Sequence, residues 1–161
     1  MTEPEKTLEM SVLMTADMAN ATGRVHGGKI LAMLDNVAYA CASRYSQRNV
    51  VTLSVDQIFF KAPIHVGDLV TFKAAVNFTG TTSMEIGIRV EAQHLHQPLR
   101  RHTNSCFFTM VALDEQQRPT GVPPLAPDTD VERKRFEAAG LRRAQRQSAT
   151  HHIEIRGRHA A

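Results

Sequence analysis

Between positions 20 and 35 the chain carries three kinds of group able to work on a polarised carbonyl. Asn20 lies in a small, polar stretch, residues 15–25 (TADMANATGRV), which contains Gly23 and reads as a loop. An amide there can orient a water or donate to a carbonyl oxygen. Gly27 and Gly28 open a helical pattern, where backbone N–H groups without intrahelical partners and uncrowded by side chains suit an oxyanion. Asp35 supplies a carboxylate that can activate water or attack directly. Each has a commoner role: a solvated helix charge for Asp35, a loop amide bonding its own backbone for Asn20, tight packing for the glycines. His26 invites a general-base role, but a structural or substrate-contacting imidazole is the favoured reading.

These groups need a scaffold. Residues 8–14 alternate loosely (Leu8, Met10, Val12, Met14) and predict a strand. The Gly27-Gly28 pair opens the one convincing helix of the domain, KILAMLDNVAYACASRYS. Ile30, Met33, Leu34, Val37, Ala38, Cys41 and Tyr45 form its buried face, and Asn49 closes it. Beyond it the apolar period drops to two, predicting strands over 51–58, 68–78, 83–93 and 102–113. Short breaks between long strands imply an antiparallel meander, since parallel strands need crossover helices. A single helix cannot cover both faces of such a sheet. The uncovered apolar positions therefore predict at least a dimer.

The helix opening on His-Gly-Gly and followed by a long antiparallel sheet resembles the hotdog-fold acyl-CoA thioesterases. The similarity is carried by ADMANATGRVHGGKILAMLD (16–35), by FFKAPIHVGD (59–68) and by GTTSME (80–85), and it extends over roughly residues 8–123. Within that superfamily the chain is most similar to the bacterial and cytosolic long-chain acyl-CoA hydrolases. The resemblance implies an α+β hotdog: one long central helix wrapped by an antiparallel sheet of about five strands, dimerising side by side. It implies hydrolysis of fatty acyl-CoA to fatty acid and CoA, with CoA as part of the substrate and no other cofactor. It further implies Asn20 of one subunit working with Asp35 of its partner, and a trimer of dimers as the branch's frequent assembly.

Geometry agrees with a shared site. Asp35 lies seven residues past Gly28, about 10 Å along one helix, while oxyanion donors must sit about 3 Å from the reacting oxygen. An antiparallel helix from a second subunit would return its Asp35 to this Asn20 and Gly28. By the same resemblance Thr82 and Ser83, which read as part of a hairpin turn, present backbone groups and hydroxyls to the pantetheine arm. The phosphates of CoA then require Arg or Lys, with Arg44, Arg89, Arg100, Arg101 and the tail arginines as candidates. Met33, Val37 and Tyr39 are candidates to line an acyl tunnel, although core packing is their commoner task.

Two other readings compete. A 3-hydroxyacyl-thioester dehydratase on the same fold carries a His-Phe-Pro type loop, whereas this loop reads Val25-His26-Gly27-Gly28. A non-catalytic acyl-CoA-binding regulator would attach a DNA-binding helix-turn-helix, for which one C-terminal helix leaves little room.

Charge separates the chain into two parts. Residues 1–127 hold eleven Lys+Arg and eleven Asp+Glu; residues 128–161 hold eight against five, which is the entire net +3. Nucleic acid is not expected as a partner, because the surplus belongs to a tail and not to the domain. The organisation expected is a hotdog domain at 1–126 and a basic region at 127–161. In that region a helix over 128–147, capped by Asp128 or Thr129, precedes an aperiodic mobile end at 151–161. Cys41 and Cys106 read as buried thiols in a reducing compartment. With no signal peptide and no membrane-spanning run, a cytoplasmic protein is expected. His94 and His96 lack a third ligand and make a poor metal site. No Gly-rich phosphate loop or serine nucleophile elbow occurs, so a metal-free, serine-independent hydrolase is expected.

Overall fold

A computed structural model describes residues 4–159, with side chains to residue 150. The chain divides into two compact units, 1–124 and 125–161. The first contains β1 (Thr7–Leu13), a 3₁₀ turn (Ala16–Met18), α1 (Gly27–Ser46), β2 (Asn49–Val55), β3 (Asp68–Thr79), β4 (Ser83–His94) and β5 (Arg100–Leu113). Every strand pair is antiparallel, in the spatial order β1-β3-β4-β5-β2.

Only β3, β4 and β5 form a meander. The expectation of a four-strand meander is corrected at β2, which pairs with β5 at the far side of the sheet. Its strand ends at Val55, not near residue 58. The freed residues 56–67 then make a link long enough to cross the sheet to β3. Both β1 and β2 are edge strands.

The period-2 pattern buries one side of each inner strand. Val70, Phe72, Ala74 and Val76 from β3 meet Met84, Ile86, Ile88 and Val90 from β4 and Cys106, Phe108 and Met110 from β5. Against them α1 lays Ile30, Leu34, Val37, Ala38, Cys41 and Tyr45, the stripe its sequence predicts. Val37 is thus core, not tunnel lining, and Met33 is half-buried while Tyr39 is exposed. Burial pushes both the Cys41 and Cys106 thiols up to about 12, consistent with free buried cysteines.

The opposite side of the sheet is largely polar, carrying Thr71, Lys73, Glu85, Arg89 and Glu91. The exposed apolar positions expected there lie elsewhere, on β2 (Val51, Leu53, Val55) and on α1 (Leu31, Tyr39).

The helix ends differ from expectation. Gln47, in the left-handed region at φ 53°, caps α1 by donating its N–H to Ser43 O, so the chain turns two residues before Asn49 and Asn49 opens β2. In the second unit α2 runs from Asp130 to His159. Thr129 Oγ accepts from Glu132 N–H at 3.1 Å while the Glu132 carboxylate accepts from Thr129 N–H at 3.4 Å, the reciprocal pattern of a capping box, and also from Asp128 N–H at 2.7 Å. The helix therefore continues through residues expected to be mobile. Its Ala, Arg and Gln content favours helix without an apolar stripe. Residues 160–161 of that expected mobile end lie outside the described residues. Among the described residues no helix is long and apolar enough to cross a membrane.

Candidate functional site

The loop that delivers the chain to α1 is tied to itself at Asn20. The Asn20 backbone N–H donates to Arg24 O at 2.7 Å, and Gly23, at φ 78°, donates its N–H back to Asn20 O at 3.0 Å. The Asn20 side-chain oxygen accepts from Thr22 N–H (2.9 Å), Thr22 Oγ (2.7 Å) and Arg24 N–H (3.2 Å). Three donors saturate Oδ1 and fix the amide plane. The Nδ2 group remains a pure donor on a residue that lines the cleft described below. The commoner role of such an asparagine, bonding its own loop, is therefore present.

His26 is the N-cap of α1. Its Nδ1 accepts from Gly28 N–H at 2.9 Å, and its own N–H donates to Met18 O at 2.8 Å. The imidazole is structural, as favoured from the sequence. This bond divides the two glycines: Gly28 N–H is engaged, while Gly27 N–H has no partner among the described residues. The free backbone donor at the helix entry is therefore Gly27, backed by the positive end of a twenty-residue helix.

A cleft of about 320 Å³ lies at this point. One wall is the α1 entry, with Asn20, Arg24, Gly27 and Ile30; the other is residues 60–64. Val25 N–H donates to Ile64 O at 2.9 Å and so staples the walls together. Asp68, almost fully buried, accepts from His65 N–H at 2.9 Å and from Arg101 at 2.7 Å, which anchors the second wall to β5.

Asp35 does not line this cleft. It is exposed on α1 between Leu31 and Tyr39, one turn before and one turn after it on the same exposed face. Its Oδ1 accepts from Thr52 Oγ of β2 at 2.6 Å. Thr52 is the functional candidate that sequence reading missed. In a strand it looks like any outward polar residue, and only the seating of α1 on β2 reveals its partner. The structure thus unites Asn20 with Gly27, and Asp35 with Thr52, without joining the two pairs within one chain.

Thr82 closes the turn between β3 and β4 and Ser83 opens β4, both outside the cleft lining; Thr82 O accepts from Ala112 N–H at 2.9 Å and Ser83 O from Gly80 N–H at 2.8 Å. The four arginines of this unit considered for phosphate are all engaged: Arg44 with Glu5, Arg89 and Arg100 with Glu91, Arg101 with Asp68. Glu91 also receives Lys73 at 2.8 Å. The Arg89 and Lys73 bonds hold its carboxyl at about 2, far below the usual range. The His94 and His96 rings stand 5.6 Å apart, and among the described residues no group of three His, Cys, Asp or Glu forms a metal cluster.

Comparison with known proteins gives this geometry a context. Residues 22–98 match the thioesterase superfamily model. Protein VdlD of Helicobacter pylori is 47% identical over 139 residues, which cover 86% of this chain and 79% of that protein. A hexameric acyl-CoA thioesterase, solved in its apo form, is 34% identical, with TM-score 0.88 over 92% of this chain and 96% of that one. An acyl-CoA hydrolase of Staphylococcus aureus, solved with butyryl-CoA, CoA and CoA disulfide, is 27% identical, with TM-score 0.82 over 92% and 93% of the two chains. The same enzyme has been solved as alanine variants of an asparagine, an aspartate and a threonine, spaced by 15 and then 17 residues.

Proposed function

The chain belongs to the thioesterase superfamily, and from that premise we propose that it hydrolyses fatty acyl-CoA at a site completed by two subunits. The observation that carries this reading is the Asp35 carboxylate, oriented by Thr52 on an exposed, apolar-flanked face with no reacting partner of its own. Asn20, Asp35 and Thr52 follow one another at spacings of 15 and 17, the residue types and spacings of the three S. aureus variants.

The division of labour follows from the bonding. Gly27 N–H and the helix terminus meet the thioester oxygen, and the Asn20 Nδ2 group donates to that oxygen or to the attacking water. The partner's carboxylate at position 35 takes the proton from water or attacks the thioester carbon. Thr52 keeps the second oxygen of that carboxylate from rotating away. CoA leaves as the thiol. The lack of a catalytic imidazole also separates this site from dehydratase chemistry, because His26 Nδ1 is committed to the helix cap.

Self-association is supported by the free hydrogen-bonding edge of β2 and by its exposed apolar residues, of which Leu53 is 68% exposed. The hexameric relative supports a trimer of dimers. Two buried, unpaired cysteines favour a cytoplasmic location. The test is CoA release, followed with a thiol reagent, from acetyl- through stearoyl-CoA. Turnover that rises with chain length and disappears in Asp35→Ala supports the reading; no thiol release at any length refutes it.

A further inference from the structure

We propose that the Asp68–Arg101 ion pair is a positioning device for the reaction: from the opposite wall of the cleft it sets the Gly27 N–H donor, and so governs turnover more than substrate affinity. This rests on the acyl-CoA reading above and goes beyond it, because neither Asp68 nor Arg101 lines the cleft.

The connection runs bond by bond. Asp68, 1% exposed, takes Arg101 Nη2 at 2.7 Å and His65 N–H at 2.9 Å on one oxygen, Oδ2. The same guanidinium nitrogen donates to Pro63 O at 3.5 Å, so Ile64 is held from both sides. Backbone bonds close the turn beneath it. Asp68 N–H donates to His65 O at 3.1 Å, Gly67, at φ 89°, donates its N–H to Met14 O at 2.8 Å, and Met14 N–H returns to Asp68 O at 2.9 Å. Ile64, 5% exposed, then offers its carbonyl to Val25 N–H at 2.9 Å, and Arg24 pairs with His65 as an antiparallel bridge. Val25 stands two residues before Gly27, and His26 between them caps α1. From His65 to Val25 every link is backbone, which transmits position without rotamer freedom.

Stability alone gives a poor account of the pair. A buried ion pair offsets its desolvation only when its remaining polar atoms are satisfied, and apolar residues of similar volume are often as stable. Here Asp68 Oδ1 is buried with no hydrogen-bond partner among the described residues, so half of the carboxylate is uncompensated. What the pair supplies, and apolar packing cannot, is direction: charge-assisted bonds converging on one oxygen fix where residues 63–65 lie. An oxyanion donor must sit about 3 Å from its target, and a misplacement of about 1 Å is enough to slow turnover. Substrate affinity is spread along the whole acyl-CoA and depends little on that one contact.

Turnover and analogue binding by the full chain test this. Asp68→Asn and Arg101→Met each lower kcat for palmitoyl-CoA about tenfold with KM nearly unchanged, and the double variant is no worse than either. Arg101→Lys recovers most of the loss, because a single nitrogen makes both contacts. Calorimetry uses two unreactive analogues: a ketone in which methylene replaces the thioester sulfur, and S-hexadecyl-CoA, which lacks the carbonyl. The wild type binds the ketone more tightly; the variants lose that preference and bind S-hexadecyl-CoA as the wild type does. A lower urea midpoint with kcat and the carbonyl preference intact, a loss confined to KM, or equal weakening of both analogues overturns the proposal. Where Asp68→Asn does not fold, Arg101→Met, at a side chain 31% exposed, decides alone. A wild type that releases no thiol overturns the thioesterase reading, and the carbonyl preference still decides the positioning role.

Discussion

Thr52 Oγ donates to Asp35 Oδ1 at 2.6 Å, joining the middle of α1 to the edge strand of the sheet. Both residues are exposed in the single chain, so the bond does not serve burial. It fixes one carboxylate oxygen of Asp35. Removing the hydroxyl releases the carboxylate and gives up its 3.5 Å contact with the sulfur of buried Met110. Thr52→Val lowers kcat for acyl-CoA about tenfold, the worth of one orienting hydrogen bond, while Thr52→Ser recovers it. Stopped kinetics on purified variants with matched circular dichroism check this.

Asn20→Ala lowers kcat by about a hundredfold, the cost of one donor at a developing oxyanion. Because Asn20 Oδ1 also accepts three bonds from the loop, Asn20→Asp keeps the loop and still loses the donor. Equal inactivation by both substitutions, with the loop of the Asp variant intact by crystallography, identifies the Nδ2 group as the working atom.

His26→Ala removes the N-cap acceptor of α1 and destabilises the protein by about 1 kcal/mol. The expected readout is a lower urea midpoint with an unchanged slope. His26→Asn, which supplies another cap acceptor, recovers most of the loss.

Glu91 gives the stability a defined acid limb. Its folded carboxyl sits at about 2, held down by Arg89 and then Lys73, against an ordinary value of 4.5. The folded value is depressed, so the contribution is full above the ordinary value and is lost as pH falls from there toward 2. The urea midpoint of the wild type therefore falls more steeply over that window than that of Glu91→Gln.

How far the sequence discloses this architecture depends on the range of each interaction. The α1 stripe and the β3–β5 strands are local patterns, and their residues stand where the periodicity puts them. The position of β2 beside β5 is a long-range choice that no local period encodes, so the local breaks predict a plain meander from which β2 departs. Thr52 was hidden for the same reason, being seventeen residues from the aspartate it orients. α2 runs past its last apolar residues because helix propensity, which leaves no period in the sequence, carries it on. Asn20 and Asp35 were legible as chemistry, but the engagement of Gly28 by His26 required coordinates.

The apolar edge predicts the assembly. Leu53→Asp places a charge on the exposed stripe of β2 and shifts the protein toward monomer in analytical ultracentrifugation, with activity falling in parallel. A stable monomer that retains full activity contradicts the interface.

The most direct test of a site shared between subunits is a mixture of Asn20→Ala and Asp35→Ala proteins, unfolded together, refolded at equal amounts and assayed for CoA release from palmitoyl-CoA. Random pairing makes half the dimers hybrid, and each hybrid holds one intact site, so about a quarter of the wild-type rate returns from two inactive parents. A mixture in which subunits have demonstrably exchanged, yet whose activity stays at the level of the parents, contradicts the account.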